Sequence, residues 1–283
     1  ASRGIVEDPV AVLHEYAMPN DTIDTSALGA PGRLHPELAT ELVRIVGQEH
    51  VFAEAADKLR YEIGARYGEG KAGFVVRPSS AAEIGEVLAL CLRTGTPLIA
   101  QGANTGLVSA STPNETGLQV VMSLERLRGD VIVDRANRTA TVGAGVTLQD
   151  LNEKLAADNL CFPIDLGANP SVGGMIATNT GGSRLVRYGD VRHNLLGLEV
   201  VLADPPGQVL DLMTGLRKNN TGYDLKQLFV GTGGAGGIIT RAVLQVHPLP
   251  RQTATALIVP TGQDAILDLL IAHEATSLPY DEC

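Results

Sequence analysis

The apolar positions in the first third of the chain alternate between short runs and helical spacing. Gly73 to Pro78 and Pro97 to Gln101 are short apolar runs bounded by proline or glycine, which is typical of strands. Between them, Ser80 is suited to cap a helix with one apolar face, formed by Ile84, Val87, Leu88 and Cys91. The pattern predicts a β-α-β unit over residues 73–101, which ends in a glycine-bearing loop, Gly102 to Gly106.

Further elements are predicted on both sides of this unit. Helical spacing of Leu38, Leu42, Ile45 and Val46 predicts a helix within residues 35–51. Strands are expected at 120–123, 131–133, 139–142, 195–203, 208–212, 237–246 and 254–260, and helices at 147–159 and 263–273. Residues 1–36 show no sustained period and are interpreted as a loose lead-in, and residues 61–71 as a charged, glycine-rich loop.

Composition excludes several classes of protein. With 283 residues, 44% of them hydrophobic, the chain can bury one large core or two smaller ones. The net charge of −10 and the scattered Lys and Arg exclude a nucleic-acid interface. Three cysteines at unpatterned spacings fit neither a disulfide framework nor a zinc site, and predict reduced thiols in the cytoplasm. No apolar run is long enough to span a membrane, although peripheral contact at its inner face stays open.

Two glycine-rich stretches are the candidate binding segments. Residues 161–188 read CFPIDLGANPSVGGMIATNTGGSRLVRY, and residues 101–113 read QGANTGLVSASTP. Glycine beside hydroxyl and amide side chains suits a backbone that approaches a ligand closely and presents N–H groups to an anion. The alternative is a flexible surface loop, but Gly/Ser linkers do not usually contain segments such as CFPIDL or GGMIAT. We therefore predict a polar, anionic ligand.

A third glycine pattern suggests a competing class. Gly231, Gly233 and Gly236 satisfy G-x-G-x-x-G after an apolar run, as in Rossmann domains that bind NAD. However, residues 238–246 look like a strand, so no helix N-terminus would face a pyrophosphate. The acidic residue expected about 20 positions further on is also missing. The match to a nicotinamide site is therefore weak.

Four motifs, taken in order, carry a more specific resemblance. VVRPSS, PLIAQGANTGLV, the 161–188 segment, and LRKNNTGYDLKQLFVGTGGAGGIITRAVLQVHPLP resemble the FAD-linked oxidase family with a vanillyl-alcohol-oxidase (PCMH) type FAD-binding domain. Within it, the chain is most similar to the D-2-hydroxyacid dehydrogenases, which oxidise D-lactate, D-2-hydroxyglutarate or glycolate. The resemblance implies an α+β fold with two lobes, 37–125 and 126–248, and FAD between them. Residues 249–283 would begin a substrate cap that is truncated here.

The resemblance also assigns FAD-contacting positions. The amides of one loop are expected to hold the pyrophosphate, with a serine on the next strand nearby: Gln101, Gly102, Ala103, Asn104, Thr105, Gly106, Leu107 and Ser123. A second group is expected along the isoalloxazine and ribityl chain: Pro163, Asp165, Leu166, Gly167, Ser171, Gly173, Gly174, Ala177, Thr178, Asn179, Gly181, Gly182, Tyr188 and Gly189. Ile238 and Ile239 match the adenine side. Ala103 and Asn104 stand where some relatives attach FAD through a histidine, which implies noncovalent binding.

The implied reaction is oxidation of a small 2-hydroxy acid to the 2-oxo acid by hydride transfer to flavin N5, with electrons passing to an unidentified acceptor. The family's base and substrate anchors belong to the cap, so no catalytic residue is named. The six histidines are scattered, and no metal site is predicted. Residues 231–237 also depart from the family's G-S-E-G-T-L-G, because they lack its acidic residue. The alternative is an FAD-binding fragment or subunit without activity by itself, and a homo-oligomer stays open.

Overall fold

The computed structural model describes residues 33–275, so most of the predicted lead-in and the last residues of the expected cap lie outside the described residues. The first sheet has four strands: β1 (Val51–Phe52), β2 (Ala72–Val76), β3 (Leu98–Gln101) and β4 (Gln119–Ser123). Their order is β1-β2-β4-β3, and β4 is parallel to both of its neighbours. The predicted β-α-β unit is present, but β4 lies between its two strands. Val120, Val121 and Met122 are fully buried, as expected of a central strand covered on both faces.

Three helices flank this sheet: α1 (Leu38–Val46), α2 (Ala55–Glu62) and α3 (Ala81–Arg93). Helix α3 begins as the sequence predicts, because the Ser80 side chain accepts a hydrogen bond from the Glu83 amide at 3.2 Å. Helix α2 was not predicted. It is a charged helix that buries only Tyr61 and Glu62, so its sequence carries little apolar periodicity.

The second sheet is antiparallel and has five strands: β5 (Ile132–Asp134), β6 (Thr139–Gly143), β8 (Leu195–Leu202), β9 (Val209–Leu212) and β10 (Gly237–Gln245). Their order is β5-β6-β10-β8-β9, so β10 is central and pairs with both β6 and β8. Between β6 and β8 the chain forms helices α4 (Leu148–Ala156), α5 (Val172–Thr178), α6 (Leu185–Tyr188) and α7 (Val191–Asn194). The short strand β7 (Leu160–Cys161) pairs with β11 (His247–Pro248).

One apolar core runs through both sheets. It includes Val120 and Met122 of β4, Ile176 of α5, and Leu198 and Leu244 of the second sheet. Helix α3 also contacts the turn between β8 and β9, where the backbones of Gly85 and Gly207 approach each other closely. The boundary between residues 125 and 126 stays a prediction, because this core is continuous across it.

The strand predicted at residues 254–260 is wrong. Residues 252–260 form neither helix nor strand, and Leu257 is 94% exposed. The run has strand-like composition, but within residues 33–275 it has no partner strand, and an isolated strand has no ladder to stabilise it. The helix predicted after it is present as α8 (Gln263–Glu274). In the part of the chain that the structure describes, no helix has the length and apolar character needed to cross a membrane.

We predict that Gly85→Ala destabilises the fold, although alanine is the better helix former. Alanine should gain about 0.5–1 kcal/mol in helix propensity. However, its Cβ would lie 2.9 Å from Gly207 Cα, and such overpacking costs roughly 1–3 kcal/mol. We expect a net loss in the free energy of unfolding, measured by urea denaturation. Leu92→Ala, at a position of the same helix that is 61% exposed, is the control and should change stability by less than about 0.5 kcal/mol. An increase in stability for Gly85→Ala would contradict the tight contact.

Candidate functional site

A cavity of about 650 Å³ lies where the carboxyl ends of β3 and β4 meet α5 and the start of β10. This volume is typical of cofactor sites, which occupy about 300–1,000 Å³. The lining residues fall within segments 100–111, 166–180 and 233–239, together with Leu124 and Ala144. None of the described residues that line it carries a charge. A charged ligand would therefore be bound by dipoles and hydrogen bonds.

Many of the residues predicted from the sequence line this cavity: Gly102, Ala103, Asn104, Thr105, Gly106, Leu107, Leu166, Gly167, Ser171, Gly173, Gly174, Ala177, Thr178, Ile238 and Ile239. The others are not among its lining residues: Gln101, Ser123, Pro163, Asp165, Asn179, Gly181, Gly182, Tyr188 and Gly189. Sequence reasoning missed several wall residues, among them Ala100, Leu124, Ala144, Met175, Thr180, Gly233 and Gly234. Most of these are small or apolar residues that carry no binding signature. The roles assigned to individual residues stay predictions.

The loop Gly102 to Gly106 is fixed from behind by side chains. Asn104 has a left-handed backbone, with φ of 54°. Its Nδ2 donates to the Ile63 carbonyl at 2.8 Å, and its Oδ1 accepts from Ser111 Oγ at 2.9 Å. Gln101, only 1% exposed, donates from Nε2 to the carbonyls of Tyr61 and Ser111. These amides hold the protein's own chain, a role that the sequence did not reveal for Asn104.

The backbone of the same loop remains available. Within residues 33–275, the amides of Gly102 to Gly106 donate to no protein acceptor. Unpaired amides at the carboxyl ends of parallel strands are a common place for an anionic group to bind. The loop therefore fits the anionic ligand predicted from its sequence.

The glycines around the cavity have different roles. Gly106, Gly167 and Gly233 line the cavity, and a Cβ built on any of them meets no atom within 4 Å and would lie in open space. A Cβ on Gly102 would instead collide with Ser171 Oγ, and one on Gly173 would lie 2.8 Å from the Ala144 side chain. Neither Gly106 nor Gly174 has a positive φ. The backbone at these two positions therefore imposes no strain on a side chain.

Residues 231–237 form part of the cavity wall and do not form a Rossmann phosphate site. The Gly231 amide donates to the Ile176 carbonyl at 3.1 Å, and the Gly233 amide donates to the Ala177 carbonyl at 2.8 Å. Both amides are therefore used at the carboxyl end of α5. The strand β10 follows directly, where a nicotinamide-binding motif requires a helix. The Rossmann alternative is excluded.

Beside the loop lies a smaller polar pocket of about 210 Å³, built around Glu125. Its Oε1 accepts hydrogen bonds from Tyr61 Oη at 2.8 Å and from Arg60 and Arg77 at 3.0 Å each. Burial acts to raise the pKa of Glu125, but the hydrogen bonds from Tyr61 and Arg77 and the charges of both arginines bring it below its usual value. The ionised carboxylate thus fixes the Tyr61 side chain through a hydrogen bond. The Tyr61 backbone carbonyl in turn accepts a hydrogen bond from the Gln101 side chain.

Tyr188, one of the positions that the resemblance assigns to FAD contact, packs against His247. The two rings lie edge to face with centroids 5.0 Å apart. Asn194 joins them, because its Nδ2 donates to the Tyr188 carbonyl and its Oδ1 contacts His247 Nε2 at 2.8 Å. Burial, followed by the charges of Arg217, Arg138 and Arg187, lowers the pKa of His247 below its usual value. No described group of three His, Cys, Asp or Glu residues could hold a metal ion.

The sequence of the chain is similar to those of known proteins. It matches the FAD binding domain family over residues 72–213. It is 42% identical over 185 residues to a probable mitochondrial D-2-hydroxyglutarate dehydrogenase of Oryza sativa subsp. indica, which covers 64% of this chain and 32% of the relative. It is 39% identical over 194 residues to a D-lactate dehydrogenase of Archaeoglobus fulgidus, covering 68% and 43%. The chain thus spans about a third of the first relative and less than half of the second.

Among solved structures, alkyldihydroxyacetonephosphate synthase superposes with a TM-score of 0.68 at 22% identity. The superposition covers 81% of this chain and 44% of that one. At this identity the likeness concerns the fold alone.

We predict that Asn104→Ala lowers the free energy of unfolding by about 1–3 kcal/mol. The substitution removes both side-chain hydrogen bonds. It also leaves alanine at a positive φ, where it has no side-chain hydrogen bond to offset the strain. Asn104→Gly should cost less than Asn104→Ala, because glycine adopts a positive φ without strain, although it also loses both hydrogen bonds. Leu107→Ala, in the same loop and 56% exposed, is the control. Urea unfolding of all three variants checks the ranking, and an alanine variant as stable as the control would show that Asn104 does not fix the loop.

Proposed function

The chain belongs to the FAD binding domain family, and on that premise we propose that it is the flavin-binding part of an oxidoreductase that acts on a small 2-hydroxy acid. The family match confirms the resemblance and the cofactor predicted from the sequence, and the structural likeness confirms the predicted α+β, PCMH-type fold. The substrate class is supported by the names of the relatives, a D-2-hydroxyglutarate and a D-lactate dehydrogenase. The observation that carries the proposal is the uncharged cavity beside a loop with unpaired amides.

The residues of the cavity fit FAD, which is long and amphipathic. The amides of Gly102 to Gly106 would bind the pyrophosphate, since they have no partner among the described residues. Ile238 and Ile239, each 4% exposed, would provide an apolar wall for a ring. Gly106 and Gly167 leave open the space in which the cofactor would lie. Neither Ala103 nor Asn104 can form a covalent bond to the flavin, which supports noncovalent binding.

The flavin, when bound, supplies the two-electron chemistry that the oxidation of a hydroxy acid requires. The described residues supply binding and orientation, and their apolar walls exclude water. Within the described part of the chain, no base and no cation line the cavity. These residues therefore neither bind the carboxylate of a hydroxy acid nor remove the proton from its hydroxyl group. This observation favours, as a second candidate, a flavin-binding unit that is inactive by itself. The electron acceptor stays unidentified.

We expect the purified chain to bind FAD noncovalently, with a Kd that changes by less than about threefold between pH 6.5 and 9. Among residues 33–275, no titratable side chain lines the cavity, so no described group in its lining changes charge over this range. Fluorescence titration measures the Kd, and acid precipitation tests the linkage. Flavin that remains in the protein pellet would contradict noncovalent binding.

A cavity-filling variant locates the site. Gly106→Leu should weaken FAD binding by about tenfold or more, because its side chain enters open cavity space without disturbing the packing. Gly262→Leu is the matched control, since a Cβ there also meets no atom within 4 Å but lies outside the cavity. Equal Kd values for the two variants would place the cofactor elsewhere.

We also expect that the FAD-loaded 283-residue chain is not reduced at a useful rate by D-lactate, D-2-hydroxyglutarate or glycolate. Correct positioning of reactants can lower a barrier by roughly 7–11 kcal/mol, and the described cavity has no cation to position a carboxylate. Anaerobic absorption spectra after each acid is added provide the measurement. Dithionite, which should bleach the same flavin, is the control for redox competence. Saturable bleaching by any of the acids would show that this part of the protein is sufficient for catalysis.

A further inference from the structure

The loop Gly231 to Gly237, here called the glycine loop, forms one wall of the cavity but has little packing of its own. It reads Gly-Thr-Gly-Gly-Ala-Gly-Gly, and three of its residues line the cavity: Gly233, Gly234 and Gly237. Gly231, Gly233 and Gly234 have positive φ angles of 81°, 65° and 88°. Glycine loses more conformational freedom on ordering than any other residue, so such a loop needs external contacts to keep one shape.

Arg192 contacts the residues that lead into the glycine loop, whose own amides at Gly231 and Gly233 donate to α5. Its Nη2 donates to the Val230 carbonyl at 2.8 Å, immediately before the loop. Its Nη1 donates to the Gln227 side-chain oxygen at 2.9 Å and to the Gln227 carbonyl at 3.3 Å. Arg192 itself does not line the cavity. A single guanidinium thus fixes two of the residues that precede the glycine loop, Gln227 and Val230.

The same arginine is tied to the helix on which the loop rests. The Arg192 amide donates to Asn179 Oδ1 at 3.0 Å, and Asn179 caps α5 in a left-handed conformation. The Gly231 and Gly233 amides donate to the last carbonyls of this helix. A Cβ built on Gly231 would lie 3.6 Å from both Arg192 Nη2 and the Asn179 side chain. Helix end, arginine and loop therefore form one hydrogen-bonded unit.

We propose that Arg192 is a positioning residue for the cofactor: its guanidinium clamps residues 227–230 so that the glycine loop holds the shape that completes the FAD cavity. This inference rests on the proposed function, because it concerns the same cavity. It assigns Arg192 no contact with the flavin. The planar fork of donors is the essential feature, since three bonds to acceptors at two residues match a guanidinium and not a single ammonium.

The test uses Arg192→Lys and Arg192→Ala in the full 283-residue chain. Arg241→Ala is the matched control, because Arg241 lies on the strand that follows the loop, with a side chain that is 51% exposed. The first measurement is amide hydrogen exchange in the protein without FAD. We expect faster exchange at Gly231 and Gly233 in both Arg192 variants, with unchanged protection of the central β10 amides.

The second measurement is FAD affinity by fluorescence titration. We expect the Kd to rise by roughly tenfold in Arg192→Lys and at least as much in Arg192→Ala, with no change in the control. Added ethylguanidinium should restore part of the affinity of Arg192→Ala. A merely destabilised fold would not respond in this way, because the added cation replaces only the missing fork.

The outcomes separate the two proposals. If the parent chain binds no FAD, the proposed function fails, and the exchange measurement still decides whether Arg192 orders the loop. If the parent chain binds FAD and Arg192→Lys binds it equally well, the positioning role is overturned. Loss of β10 protection in both variants without rescue by ethylguanidinium would also overturn it, since Arg192 would then support the fold as a whole.

Discussion

The proposed FAD site has no charged side chain among the described residues that line it, so a charged cofactor there would have to be bound by backbone amides and neutral polar groups. A backbone N–H is a weak donor compared with a guanidinium, so its value depends on being held in place before the ligand arrives. The polar side chains near the cavity serve this purpose. Asn104 and Gln101 fix one loop, and Arg192 fixes the approach to another. The two amide side chains and the guanidinium form hydrogen bonds with backbone carbonyls of the protein itself.

The core elements could be predicted from the sequence because local signals agreed there. The Ser80 cap, the apolar face of α3 and the proline after β2 all indicate the same boundaries. Helix α2, which was not predicted, and the strand wrongly predicted at 254–260 show the limit of prediction from local sequence. Helix α2 is stabilised by contacts such as Tyr61 with Glu125, which lie far apart in the sequence. The 254–260 run has the right composition but no partner in the described residues, and a single sequence does not identify a pairing partner.

The candidate site was predictable to a similar degree. The segments around Gly102 and Gly173 have glycine spacings that indicate close backbone approach, and the resemblance gave these segments a ligand. The resemblance did not show which of the assigned positions line the cavity: Gly102 and Gly173 do, whereas Gln101 and Asn179 do not. Nor could it show that the glycines after Val230 use their amides to close a helix end. These roles depend on which carbonyl happens to lie opposite each donor.

The central position of β10 also bears on how the chain can be assembled during synthesis. Strands β5 and β6 form one local pair, β8 and β9 form another, and only β10 joins the two. β10 begins at Gly237, beyond residue 213 where the family match ends. A ribosome that has released residues up to 213 has therefore exposed two hairpins, each with an unpaired edge where β10 belongs. Unpaired edges are templates for association with other chains. Between the emergence of β9 and that of β10, both of these edges are therefore open to association with other chains.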